Sequence, residues 1–202
     1  MGATDGTLVD ISTSEAVDFV KARHYTGSAA HGVIRYGWEI SGVLVGVTIY
    51  DFGNHAMRQG VFGPENYPHV LHHHRLAISE GMPKGTASQF LGAAMRRIKR
   101  EHPDVWAIVT YADECEGHKG IVYQATNATY TGVRAKGNLK FRRPDGVIVP
   151  TQSLKGTWPE RRAAAARLGW AEIRCKGKHR YVYLLQPKRA PLLWPVVTPY
   201  PK

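Results

Sequence analysis

Apolar positions recur along this chain with two different periods, and the places where the period changes divide it into elements. Ser12 with Glu15 forms a capping box ahead of Ala16, Phe19 and Val20, which predicts a helix running to about Arg23. Residues 33–40 and 43–50 read as two strands joined at Ser41-Gly42, a hairpin. Residues 54–68 look loop-like, with Gly60, Gly63 and Pro64. A strand over 70–79 leads through a turn at 80–87 into a helix over 88–101, whose apolar face is Phe90, Leu91, Ala94 and Ile98. Residues 106–111 form the next strand, stopping abruptly at Asp113. Gly117 then breaks the chain before a helix over 118–127 with Tyr123 near its middle. Further strands fall at 129–135 and 180–185, and short ones at 140–141 and 147–149 flank the turn Pro144-Asp145-Gly146. Thr157 caps a last helix over 158–168, with Pro159 in its first turn and Gly169 just past its end.

The order is therefore helix, hairpin, strand, turn, helix, strand, helix, strand, insertion, strand. It predicts an α/β protein, more closely an α+β mixed sheet flanked by helices, with right-handed crossovers at its centre. One domain is expected over 1–186, carrying a basic insertion at about 134–170. The tail 187–202 contains five prolines and is expected to lie extended on the surface.

Composition narrows the classes. Of 202 residues 43% are hydrophobic and 21% charged, as in a soluble globular domain. No run approaches the roughly 20 apolar residues that cross a bilayer, so no membrane partner is expected. The start, MGATDGTLVDIST, has neither the basic nor the apolar region of a secretory signal. Cys115 and Cys175 stand far apart, which suggests no disulfide framework, no zinc knuckle, and a reducing compartment, the cytoplasm. Nothing in the pattern sets the oligomeric state, a homodimer being one option. The net charge of +11 points to a polyanionic partner, nucleic acid being the commonest, although CoA-type cofactors are also anionic. The basic residues cluster at 96–100, 134–143, 161–162 and 174–180.

Four groups of residues suit chemistry. In the turn at 80–88, Gly81 and Gly85 keep the backbone low while Lys84, Thr86 and Ser88 add donors. With Ala87 they open a helix whose free amides favour an anion. No Walker pattern is present, and an ordinary glycine-rich turn is the competing reading. Asp113 and Tyr123 sit across a short glycine-containing loop, where a tyrosine can protonate a leaving thiolate and an aspartate can take a proton from an amine. The alternative is a loop cap and a half-buried packing residue. His24-Tyr25 is an adjacent pair of possible ligands, or simply a loop pair. Within His72-His73-His74, positions 72 and 74 share one strand face and 73 takes the other, so the run reads as a metal-binding pair or as a polar edge. Arg75, beside apolar Leu76 to Ile78, needs an anionic partner.

The strand from Arg75, the Gly85-Thr86-Ala87 turn and the Tyr123 helix resemble the GNAT acetyltransferase superfamily. Met82 stands where that turn usually has Gln or Arg. Within the superfamily the chain is similar to the phage Mom DNA-modification proteins. The carrying pieces are His24-Tyr25, Arg75-Leu76, Pro83-Lys84 with Ser88, YAD at 111–113, GH at 117–118, YQATN at 123–127, TYTG at 129–132 and KHRYV at 178–182. The resemblance implies a transferase that converts the exocyclic amine of adenine in double-stranded DNA to a carbamoylmethyl derivative. It implies acetyl-CoA as cofactor and protection of phage DNA from host restriction. It implies Arg75 and Ser88 on the CoA side, and His24, Tyr25, Asp113 and Tyr123 as a catalytic or Fe(2+)-binding set.

A basic protein with a cofactor crevice suits that activity. Duplex affinity would come largely from phosphate contacts, and the target base would have to leave the stack. Lys136, Lys140, Arg142 and Arg143 are the expected DNA-contacting residues, while Trp38, Tyr50 or Tyr111 are open to base stacking or to core packing. Two other readings stand: a conventional N-acetyltransferase acting on a small amine or protein, and a non-catalytic DNA-binding relative. The strong positive charge argues against a small cationic substrate.

Overall fold

The computed structural model describes residues 6–24, 32–134, 139–175 and 177–201, so Tyr25 and Lys136 lie outside the described residues. In chain order the elements are β1 (Gly6–Asp10), α1 (Thr13–Arg23), β2 (Ile34–Ile40), β3 (Val43–Asp51), α2 (His55–Phe62), β4 (Val70–Ile78), α3 (Thr86–Glu101) and β5 (Ala107–Asp113). There follow α4 (Ile121–Ala125), β6 (Thr129–Arg134), β7 (Leu139–Arg142), β8 (Ile148–Pro150), α5 (Trp158–Arg167), β9 (Ala171–Arg174) and β10 (Lys178–Leu184). The chain divides into two compact units. One comprises Met1–Tyr111, Gly120–Gly132 and Arg180–Lys202, the other Ala112–Lys119 and Val133–His179.

The first unit is built on a mixed sheet in the order β1-β2-β3-β4-β5-β10-β6. Strands β1 to β4 are antiparallel neighbours, while β4 and β5 run parallel. Helices cover both faces. Ala16, Phe19 and Val20 of α1 pack on Val47, Ile49 and Ala77. Gly46, next along β3, points the other way, and a methyl group there would stand 3.1 Å from the Phe90 ring of α3. That glycine lets α3 settle close to the strand. Trp38 stacks on Phe90 with centroids 5.5 Å apart, and Tyr50 is fully buried, so both belong to the core and neither can stack on a base.

Three features of this unit depart from the sequence pattern. Residues 54–68 are not all loop. Asn54 accepts from the Met57 amide and caps α2, which buries Met57, Val61 and Phe62. The glycines at 60 and 63 obscured that short amphipathic run. Gly60 lies under Trp194, where a methyl group would meet the indole at 2.8 Å. Edge strand β1 was hidden because GTLVD reads as a lead-in to the capping box. Helix α4 begins only after Gly120, whose φ of 78° sets a left-handed entry, and is therefore shorter than expected. The tail does return over the surface, tied by Val197 N–H to the Tyr130 carbonyl at 2.9 Å and by Trp194 against Arg180.

The second unit holds a three-stranded antiparallel sheet, β8-β7-β9, under α5. Phe141 is its buried centre, flanked by Trp158 and Trp170 at 5.9 and 6.4 Å. Strand β9 was not expected, because AEIR carries too little apolar signal by itself. The cysteines correct a second expectation. Cys115 and Cys175 are disulfide-bonded with Cα atoms 5.1 Å apart, despite 60 residues of separation. The Glu114 amide donates to the Gly177 carbonyl at 3.2 Å, which brings the end of β9 beside the turn after β5. The cysteines therefore give no ground for a reducing compartment. Among the described residues no helix is long and apolar enough to cross a membrane.

Candidate active site

The sheet of the first unit opens at its middle. Among the described residues β4 and β5 pair only at Val70↔Ala107, Leu71↔Ile108 and His72↔Val109. Strand β4 then runs on to Ile78 and β5 past Tyr111 without pairing to each other. An opening between parallel strands is a place where an extended ligand can lie and complete the ladder.

A chain of buried hydrogen bonds starts at this opening. His73 is 3% exposed and sits between two hydroxyls, with Nε2 2.9 Å from Thr48 Oγ1 and Nδ1 3.1 Å from Thr110 Oγ1. Thr48 donates its own proton to the Arg75 carbonyl at 3.3 Å. Its oxygen and that of Thr110 thus hold the two ring nitrogens of His73 between them. Thr110 also bonds with the Tyr123 phenol. Burial pushes the His73 imidazole down to about 3, with the neighbouring His72 adding to the effect, so the ring is neutral. Burial pushes the Tyr123 phenol up, opposed by Thr110. The tyrosine therefore holds its proton at neutral pH, as a proton donor should.

The turn before α3 brings the helix start forward to Thr86. Gly85 adopts φ 97° as the N-cap, and a methyl group there would meet nothing within 4 Å, so the space above the helix start is open. Asn54 caps α2 and Ser12 caps α1 with a side chain, but no side chain caps α3. Thr86 and Ser88 hydroxyls turn back to the carbonyls of Pro83 and Gly85 at 2.8 and 2.9 Å, anchoring the turn. Lys84 is exposed and Ala87 partly so. Arg75 is half-buried on β4 and donates to the His74 carbonyl at 2.8 Å. His24 ends α1, its amide bonded to the Val20 carbonyl at 2.8 Å.

Asp113 belongs to the second unit. It is 5% exposed and accepts from Lys140 Nζ at 2.9 Å, with Lys178 Nζ at 3.3 Å and the Cys115 amide at 3.1 Å. Glu116 takes the other side of Lys140 at 3.1 Å. Burial raises the Asp113 carboxyl, but Lys140 and Lys178 outweigh it and hold the group below the usual carboxylate range. An anion so held is a weak general base at neutral pH. The same contacts occupy Lys140, whose side chain is 14% exposed, so it has little left for a phosphate. Arg142 and Arg143 are exposed, and Arg143 pairs with Asp145 at 2.8 Å.

Of the set offered for iron, Asp113 already answers two ammonium groups, burial keeps the Tyr123 phenol protonated, and Tyr25 lies outside the described residues. The sequence reading missed Thr48, Thr110, Lys178 and Glu116. Only the strand alternation about His73 hinted at an inward-facing partner. It also left Asp51 aside. Partial burial raises the Asp51 carboxyl, but bonds with His72 and His74 more than reverse this and hold it well below the ordinary range.

A mixed sheet parted between its two parallel strands, with an uncapped helix start beside the gap, is the GNAT acetyltransferase fold. Solved structures agree. The structure matches yncA from Salmonella typhimurium, determined with acetyl-CoA, at TM-score 0.54 and 9% identity, over 93% of this chain and 98% of that one. It matches a Bacillus subtilis acetyltransferase in complex with CoA at TM-score 0.52 and 12% identity, over 88% and 95%. The chain belongs to the Mom protein family, whose profile matches residues 6–202. It is also 26% identical over 136 residues to the methylcarbamoylase mom of Escherichia phage Mu, which covers 65% of this chain. The match spans about half, 55%, of that relative's length.

Proposed function

We propose that this transferase modifies DNA, taking an acetyl-derived group from acetyl-CoA onto the exocyclic amine of adenine in a duplex, with a nitrogen donor and a two-electron oxidant as the co-reactants that complete a carbamoylmethyl product, and so shields phage DNA from restriction. The observation that carries the reading is the gap between β4 and β5 beside the open start of α3, in a chain matched by the Mom family over nearly its whole length. Bound acetyl-CoA would supply an activated acyl thioester. The α3 amides around Gly85 to Ser88, with Lys84 and Arg75, fit its phosphates. Strand edges along the gap would orient its arm, and Tyr123 would deliver a proton to the departing sulfur. His24 and Tyr25 are proposed at the amine. Asp113 is assigned to holding Lys140 and Lys178 in place. Arg142 and Arg143, with Lys136, would contact phosphates, and base extrusion would cost a few kcal/mol.

The test is nucleoside mass spectrometry of DNA from cells expressing the chain. Wild type should yield a modified deoxyadenosine that Tyr123→Phe greatly reduces. Unmodified deoxyadenosine in every sample would reject the reading. Reversing the charges of Arg142 and Arg143 should weaken duplex binding and flatten its salt dependence.

A further inference from the structure

Asp51, His72 and His74 form a cluster that the reading above leaves unused. Asp51 ends β3 directly opposite His72 of β4, and alternation puts His74 on the same face, away from His73. A register shift between Ile49 and Tyr50 adjusts the two strands at this point, as bulges beside functional sites often do. Asp51 Oδ1 lies 3.0 Å from His72 Nδ1, and Oδ2 lies 2.9 Å from His74 Nδ1. The three ligand atoms all fall within 4.8 Å of one another. The imidazole rings stand at 85° with centroids 5.6 Å apart, so neither blocks the other. Each side chain is about one-fifth exposed, which leaves an approach from solvent.

We propose that Asp51, His72 and His74 bind one first-row divalent transition-metal ion, its remaining positions open to water or an oxygen ligand. Two imidazoles and one carboxylate suit borderline ions such as Fe2+ or Zn2+. Ligand bonds of about 2.1 Å place adjacent octahedral ligands about 3.0 Å apart, the separation of each imidazole from the carboxylate. In the metal-free protein the same atoms satisfy one another as hydrogen bonds. The ion takes the Nδ1 lone pairs and leaves each neutral ring protonated on Nε2, so protons compete with it as pH falls. The site is held rigidly. Gly53, at φ 56°, brings the chain so near His72 that a methyl group there would lie 2.7 Å from the His72 Cβ. His73 plays no part, since both its nitrogens face threonine hydroxyls.

This inference does not rest on the DNA-modifying reading, and its test needs no activity. The metal-stripped full chain is titrated with Co2+, followed by visible absorption, and then with Zn2+ to displace it. One Co2+ per chain is expected. Asp51→Asn and His74→Gln should each weaken binding by about tenfold or more. His24→Gln and Asp113→Asn should leave it unchanged. Far-UV circular dichroism verifies the fold of each variant, and if Asp51→Asn does not fold, His74→Gln carries the test with the Asp51–His72 bond intact. Absence of saturable binding by wild type overturns the proposal. So does wild-type affinity in His74→Gln or in a folded Asp51→Asn, or a signal lost in His24→Gln or Asp113→Asn.

Discussion

In the first unit His73 is buried between Thr48 and Thr110 without a charge, whereas in the second Asp113 is buried with two ammonium groups against it. Both residues lie inside or at the end of a strand, and both are almost wholly removed from water. Satisfying a neutral ring takes two hydroxyls in the correct donor and acceptor sense. Satisfying a carboxylate takes opposite charge, because hydrogen bonds alone seldom offset the loss of ionic hydration. The neutral chain ends on the Tyr123 phenol and can direct a proton. The charged cluster fixes the turn around Cys115, and its carboxylate is too weak a base to take up a proton at neutral pH. Carboxylate and phenol read as one catalytic pair in sequence, and in the structure each has its own set of partners.

The largest expected effect separates a buried ion pair from a solvated one. Lys140→Ala leaves the Asp113 carboxylate facing Lys178 alone and should cost about 3 kcal/mol, as breaking buried pairs does. Unfolding followed through Trp158 and Trp170, which lie in the same unit, reads that loss directly. A cost below about 1 kcal/mol would mean the pair behaves as a surface bridge. The double variant Asp113→Asn, Lys140→Met should recover much of the loss.

Acid sharpens the contrast. The His73 pKa, about 3, lies below that of an unfolded histidine. Its contribution to stability is therefore whole above about pH 6.5 and is lost as pH falls toward 3, at up to about 1.4 kcal/mol per unit. Asp113 also has its folded pKa depressed, so its contribution is whole above about 3.9, the ordinary aspartate value, and is lost only as pH falls below it. The neutral cluster should thus weaken first on acidification. In urea unfolding at pH 7, 6 and 5, His73→Gln should flatten the wild-type slope and Asp113→Asn should not. Identical slopes in wild type and His73→Gln would show that the ring is not held neutral.

Much of this was legible in the sequence, for identifiable reasons. The capping box at Ser12 and the face of Phe90, Leu91, Ala94 and Ile98 are local signals, and both stand where the pattern put them. What stayed hidden depended on pairing between distant segments. Strand β9 exists because Phe141 needs a cover, and the disulfide because Glu114 meets Gly177. Lys140 looked like a free cation because its partners, Asp113 and Glu116, precede it by more than twenty residues. His72 and His74 were correctly set on one face, but their carboxylate, Asp51, is supplied by a neighbouring strand.

The smallest effect probes the direction of the neutral chain. Thr110→Val keeps the shape of the side chain and removes the hydroxyl between His73 and Tyr123. Two neutral hydrogen bonds are lost with little change in packing, so stability should fall by about 1 to 2 kcal/mol, less than for Lys140→Ala. Thr110→Ser retains the hydroxyl and should restore the chain, apart from the packing of one methyl group. Because Thr110 bonds both His73 and Tyr123, the valine also leaves the phenol without its hydroxyl partner. The Tyr123 hydroxyl proton should then exchange faster with solvent in proton NMR, and serine should slow it again. Unchanged stability and exchange in Thr110→Val would show that His73 and Tyr123 are held independently, and the contrast between a neutral relay and a charged anchor would fail.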